Sequence, residues 1–364
     1  MGMVGIFIPL YVYELTGDLG MIFLFYMIVY AVVVASSIWV GAVVTRIGID
    51  KSSMVASLLR AGFLGLLIFG KANLGFLWAG AVLWGLVIPF YWFPYRYTVV
   101  VSKNEDGKFG EEVGKMRVVD KIAAAIGPFI GGLIIVSFGF TILYIVSIIL
   151  AILSPIPLLL DSYSKRGMRF SVRKISSSLE RRKNWPIFLA WLGYGMETVI
   201  YGVAWWVFVF LMIRDYEVMG AVSSGALLLT LLVCWWAGGW IDRRGPGILK
   251  IGVLVNSLNW LLRPFLRTAS LIFGSDLLYQ LVANFVWTPY ETVFFEIAEK
   301  KRRLEFIIKR EIWVNLGGFL ACFLVLIFLA LRFSWSVIFG LGILGLFFSS
   351  LILEFKKKFE KFEV

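Results

Sequence analysis

Apolar runs follow one another along almost the whole chain, at about 1–13, 20–44, 52–70, 74–97, 117–138, 140–160, 186–213, 218–241, 248–268, 270–291, 312–331 and 334–354. A helix needs about 20 residues to cross a bilayer core of about 30 Å, and only a helix or a closed barrel carries its backbone through lipid with every hydrogen bond made. These runs predict an all-α polytopic membrane protein of twelve helices, the first of them short. A chain of 364 residues that is 60% hydrophobic and 16% charged does not fit an ordinary soluble domain.

The formal net charge of +12 would suggest nucleic acid in a soluble protein, but here the placement of the charges decides. Of 35 Lys and Arg, 29 lie on alternate connections: Arg46 and Lys51, Arg96 to Lys121, Lys165 to Lys183, Arg243 to Lys250, Lys300 to Arg310, and the tail. The other connections carry Lys71, Arg214, Arg263, Arg267 and Arg332. Basic loops stay in the cytoplasm, so the loop 161–184 and the C-terminus are expected there, in a multi-pass protein of the plasma membrane. The expected organisation is a first six-helix bundle at 1–160, a basic linker at 161–184, a second bundle at 185–354 and a basic tail at 355–364. Membrane lipid is an expected partner of the basic segments, and nucleic acid is not.

With no histidine, His-ligated haem, His-containing zinc sites and imidazole relays are excluded. Cys234 and Cys322 sit inside apolar runs and form no disulfide framework. No phosphate-binding Gly-x-x-x-x-Gly-Lys-Ser/Thr loop occurs. Neither metal, cofactor nor enzymatic chemistry is expected.

The two halves repeat. Trp92-Phe93-Pro94-Tyr95-Arg96 aligns with Trp287-Thr288-Pro289-Tyr290-Glu291 at an offset of 195. The loop from Gly41 through Arg46 to Gly48 matches the one from Gly238 through Asp242 and Arg243 to Gly245. Twelve helices in two repeats, with a Gly-x-x-x-Asp-Arg-x-Gly type loop after the second and eighth, resemble the major facilitator superfamily over the whole chain. The resemblance implies two pseudo-symmetric six-helix bundles that rock about a central site, with Arg46, Asp242 and Arg243 in loops that latch the halves. Gly127, Pro128, Gly131 and Gly132 in the fifth run resemble the family's antiporter motif, with Ala123 where a glycine is usual. That motif implies exchange; tight helix packing is the structural alternative. Thr45 replaces the acid of the first loop, and the short first run leads us to expect a start codon further upstream.

Ionisable residues at mid-membrane depth are the functional suspects. Glu197 lies in the seventh run, where Tyr194, Glu197, Tyr201, Trp205 and Phe208 recur at helical steps and are expected on one face. A carboxylate among aromatic rings suits proton loading or the holding of an organic cation; a hydrogen bond to a neighbouring helix is the alternative. In the tenth run Asp276, Gln280, Asn284 and Thr288 form a polar stripe expected to face substrate, with Asp276 either a ligand contact or a rim charge. The second run adds Tyr26, Tyr30 and Ser37.

Arg96 and Glu291, at matching ends of the fourth and tenth runs, are expected to pair as a gate when the cavity opens outward, or to be separate headgroup anchors. If they pair, reversing both charges should restore what either reversal loses. The expected function is proton-coupled efflux of an amphipathic or cationic small molecule by a monomer. The alternatives are proton-coupled uptake of a sugar or other metabolite, and a non-transporting sensor.

Overall fold

The computed structural model describes residues 2–101, 109–156, 184–244, 246–300 and 303–363, and the side chains among them except at 109–123, 232–244, 246, 303 and 361–363. Every regular element among the described residues is helical. The first half contains α1 (Ile8–Thr16), α2 (Leu19–Ile47), α3 (Ile49–Phe69), α4 (Leu74–Val101) and α5 (Phe109–Leu153). The second contains α6 (Trp185–Val199), a π turn (Ile200–Trp205), α7 (Trp206–Ile213), α8 (Tyr216–Arg244), α9 (Leu249–Leu262), α10 (Ala269–Lys300), α11 (Arg303–Ala330), α12 (Trp335–Ser350) and α13 (Ile352–Glu363). The expected linker lies almost entirely outside the described residues.

Local chemistry sets the breaks. Gly17 ends α1 at φ 67°, and the Asp18 side chain caps α2 by accepting from the Gly20 N–H at 2.7 Å. Gly48 turns the chain between α2 and α3 at φ 87°, and Gly139 interrupts α5 at φ 78°, which is where the fifth and sixth apolar runs join.

Eight described helices are long and apolar enough to cross a membrane. Four of the twelve runs fall outside that count. The fifth and sixth runs are continuous across Gly139, and the first run yields only the nine residues of α1. In the eighth the described side chains end at Leu231, within a helix that continues to Arg244, and the 14 residues of α9 are flanked by 3-10 turns. Large apolar side chains such as Phe138, Ile251, Leu254 and Phe265 point outward, as a lipid-facing belt requires.

Residues 355–363, expected as a tail, continue as the helix α13. Ile352, Phe355 and Phe359 fall on one face of it, and Lys356 Nζ meets Glu296 of α10 at 2.7 Å, so this segment is docked on the second half.

The halves meet chiefly through α2 against α11 and α5 against α8. On α5 the predicted small residues are where backbones approach closest. A Cβ at Gly132 would stand 2.6 Å from the Tyr216 carbonyl, and one at Gly220 of α8 would stand 2.5 Å from that of Pro128. Gly127 and Gly131 face the backbone of Gly2 and Met3 in the same way. Gly132→Leu is therefore expected to destabilise the folded protein by about 1–3 kcal/mol through overpacking. Thermal unfolding in detergent checks this, and an unchanged midpoint would mean that the helices separate freely there.

Candidate functional site

The interior of the second half holds two carboxylates and one guanidinium, brought together by α6, the π turn, α9 and α10. Glu197 is buried at 3% exposure, and its Oε1 accepts the hydroxyl of Tyr279. The Tyr279 ring stacks on Tyr201 at 4.1 Å between centroids. Tyr201 donates its hydroxyl to Asp276 Oδ1 at 3.2 Å, Trp205 Nε1 donates to the same oxygen at 3.1 Å, and Gln280 Nε2 donates to the Tyr201 hydroxyl.

Asp276 is not a rim charge: it is fully buried, 3.5 Å from Nη2 of Arg263, which is itself fully buried. The Arg263 guanidinium lies 3.8 Å from the ring centre of Trp205 and 4.1 Å from that of Trp260. Its Nε donates to Ser275 Oγ at 3.2 Å, and Ser275 is exchanged in two hydrogen bonds with Asn259, at 2.8 and 2.9 Å. An arginine out of water is tolerated here because aromatic rings surround it, Ser275 accepts from its Nε and the Asp276 carboxylate supplies the opposite charge.

The seventh run carries a π turn, which is wider than an α turn by about one residue. Glu197, Tyr201 and Trp205 meet in the cluster, and Phe208 stacks on Trp205 at 6.0 Å at its edge, where it also meets Trp335 and Phe339 with centroids 5.4 Å apart in each case. Tyr194 leaves at the other end, stacking on Tyr290 at 5.2 Å.

The helix-ten stripe is buried throughout, at 0% for Asp276, 8% for Gln280, 1% for Asn284 and 3% for Thr288. Asn284 Nδ2 donates to the Gln280 carbonyl of its own helix at 3.0 Å. Tyr26 and Tyr30 lie 6.4 Å apart on α2, and the Tyr30 ring packs over Gly318 of α11. Ser37 donates to the Val33 carbonyl of its own helix at 2.6 Å, which occupies its donor.

A second constellation closes the end that carries the basic loops. Arg96 Nη1 of α4 lies 3.3 Å from Glu291 Oε2 of α10, and its Nε lies 3.1 Å from Glu311 Oε1 of α11. Arg310 Nη2 meets Glu291 Oε1 at 2.6 Å, and its Nη1 meets Glu311 Oε1 at 2.9 Å. Four alternating charges thus form a closed ring, in which Arg96 is the member from the first half. The ring exists while the halves also touch at the opposite end, where Phe7 meets Tyr216 at 6.2 Å. Arg46 is exposed, and the side chains of Asp242 and Arg243 lie outside the described residues.

Arg263, Trp260, Tyr279, Arg310 and Glu311 escaped the sequence reading. Arg263 sits where the ninth run fades and reads as an end-of-helix charge. Its one available signal is Trp260 at a spacing of three, which puts a ring on the same helix face. Arg310 and Glu311 immediately precede an apolar run and read as loop charges.

A family model described as Major Facilitator Superfamily matches residues 1–274. The chain is similar to the uncharacterized protein YqgE of Bacillus subtilis (strain 168), 23% identical over 304 residues that make up 79% of this chain and 70% of that protein. Its fold is similar to the crystal structure of the E. coli fucose:proton symporter FucP, at a TM-score of 0.62 and 13% identity over 98% of this chain and 97% of that one. It is also similar to FucP in the outward conformation, at 0.64 and 14% over 92% and 87%. A multi-pass helical chain with two repeated halves that matches this model over most of its length is a transporter rather than an enzyme, and it belongs to the major facilitator superfamily.

Proposed function

We propose that this chain is a proton-coupled secondary transporter of the plasma membrane, with its basic loops and C-terminus cytoplasmic and Glu197 as the proton site. The observation that carries the reading is Glu197 itself, a buried carboxylate held by a neutral phenol and making no ion pair among the described residues. A carboxylate in that setting changes charge when it takes a proton, and the change is felt by every group in a low-dielectric cluster. Tyr201 and Gln280 lie beside it and contact substrate, with Tyr26, Tyr30, Tyr194, Asn284 and Thr288 completing the path between the halves. Arg96 and Glu291 gate the cytoplasmic end, with Arg46, Asp242 and Arg243 as latch residues.

The direction we propose is efflux of an amphipathic small molecule. Two features support it: the Gly127-Pro128 to Gly131-Gly132 segment of α5 packed on α8, and the aromatic lining of the path. The aromatic box that would suit an organic cation is filled by Arg263, which moves the substrate toward neutral amphipaths. Uptake of a sugar is the second reading, favoured by the polar stripe of Gln280, Asn284 and Thr288 and by the likeness to the fucose:proton symporter.

The test is solute-driven proton movement in proteoliposomes, with panels of amphipathic cations, neutral amphipaths and sugars. Outward-directed coupling to an amphipath supports efflux, and coupling to a sugar moves the reading to uptake. No flux from a folded protein would favour a sensor.

A further inference from the structure

We propose that Arg263 is a positioning residue for the transported proton: by keeping Asp276 ionised, it leaves Glu197 as the carboxylate that protonates. The inference rests on the reading of Glu197 as the proton site. The charged groups facing one another here are Glu197 from α6, Asp276 from α10 and Arg263 at the end of α9, with the neutral phenols of Tyr201 and Tyr279 between them. Helix α12, which packs against the cluster through Phe339 and Gly345, carries no ionisable side chain.

With both carboxylates ionised the cluster holds one uncompensated negative charge, and a single proton from solvent makes it neutral. The geometry directs where that proton goes. Asp276 faces the guanidinium at 3.5 Å and accepts from Trp205 and Tyr201, so its contacts favour the carboxylate form. Glu197 accepts from a phenol, which a carboxylic acid can face equally well, because the acid still offers a lone pair and gains a proton to donate. The rings of Trp205 and Trp260, set at 89° to each other and 3.8 and 4.1 Å from the guanidinium, together with Ser275 on its Nε, hold Arg263 at Asp276 and keep it from following Glu197. The proton adds to a Glu197 carboxylate oxygen and leaves from it, while Asp276 stays unchanged through the cycle.

The experiment is infrared difference spectroscopy of the purified full chain in lipid nanodiscs during a step from alkaline to acidic pH, read at the carbonyl stretch of protonated carboxyl groups. The wild type is expected to gain a band that Glu197→Gln loses. Arg263→Gln should add a second band, from Asp276, and Arg263→Gln with Asp276→Asn should remove it again. Asp276→Asn alone preserves side-chain shape and decides the matter if Arg263→Gln does not fold. It leaves the charge of the stationary Arg263 uncancelled within the same low-dielectric cluster as Glu197, which favours the ionised carboxylate, so the Glu197 band should vanish over the wild-type pH range. A band unaffected by Glu197→Gln would overturn the Glu197 reading itself. A Glu197 band that keeps its wild-type pH range in Asp276→Asn, or an Arg263→Gln variant that folds without a second band, would overturn the role of Arg263 and leave Glu197 standing.

Discussion

Arg96→Glu is expected to open the basic end of the molecule. In the wild type, Arg96 is the first-half member of a ring in which Glu291 and Glu311 are each shared between two guanidinium groups. The substitution leaves those carboxylates to Arg310 alone and brings a third negative charge toward them. Removing one partner of a buried ion pair costs about 3–5 kcal/mol. A closed end weakened by that amount spends most of its time open. The measurement is labelling of Thr288→Cys by a membrane-impermeant maleimide from the basic-loop side, in a background lacking Cys234 and Cys322. We expect the rate to rise by at least about tenfold, since each 1.4 kcal/mol of population shift is worth that factor. An unchanged rate would show that the ring is not a lock. The ring also removes the simple rescue expected from the sequence. Glu291→Arg would set a guanidinium against Arg310, which now lies 2.6 Å from the Glu291 carboxylate, so the double reversal should remain defective. Reversal at Arg96 together with Glu311→Ala, which relieves the added repulsion, is expected to recover more.

Glu197→Gln is expected to abolish solute-driven proton movement while leaving exchange of solute across the membrane intact. The amide keeps the shape of the carboxyl group and still meets the Tyr279 hydroxyl, so the fold should hold. What it loses is the ability to change charge, on which coupling to a proton gradient depends. Counterflow of labelled solute should persist at a rate within about threefold of wild type and should become insensitive to pH, because no proton has to be bound or shed in the cycle. Loss of counterflow together with proton movement would place Glu197 in solute binding instead. Proton movement retained by the variant would remove it from coupling altogether.

The all-helical membrane fold and the family were legible because they rest on averages. Apolar runs, basic connections and the recurrence of Trp92 to Arg96 at Trp287 to Glu291 each involve many residues, and local irregularities do not disturb them. The pairing of Arg96 with Glu291 was legible for a related reason: opposite charges at symmetry-equivalent positions have few places to go. The site itself was only half legible. Helical spacing put Glu197, Tyr201, Trp205 and Phe208 together, and they meet, but the same spacing included Tyr194, which stacks on Tyr290 instead, and nothing in the residue pattern announces the π turn. Arg263 was hidden by the rule that assigns basic residues to connections. Counting a basic residue at the edge of an apolar run as an anchor is correct on average and fails where Trp205 and Trp260 have built it a place inside. Arg310 and Glu311 were hidden in the same way, by the loop beside them.

The turn at Ile200–Trp205 has a further meaning as arithmetic. A π turn is an α-helix that holds one residue more than its regular turn has room for. Deleting Gly202, whose missing side chain leaves open space around it, would return the segment to a regular helix and swing Trp205 and all that follows by about a quarter of a circle. The aromatic floor under Arg263 would then turn away from it. A family member of the same length, the same charges and the same repeats, but one residue shorter here, would keep the architecture and lose this chamber.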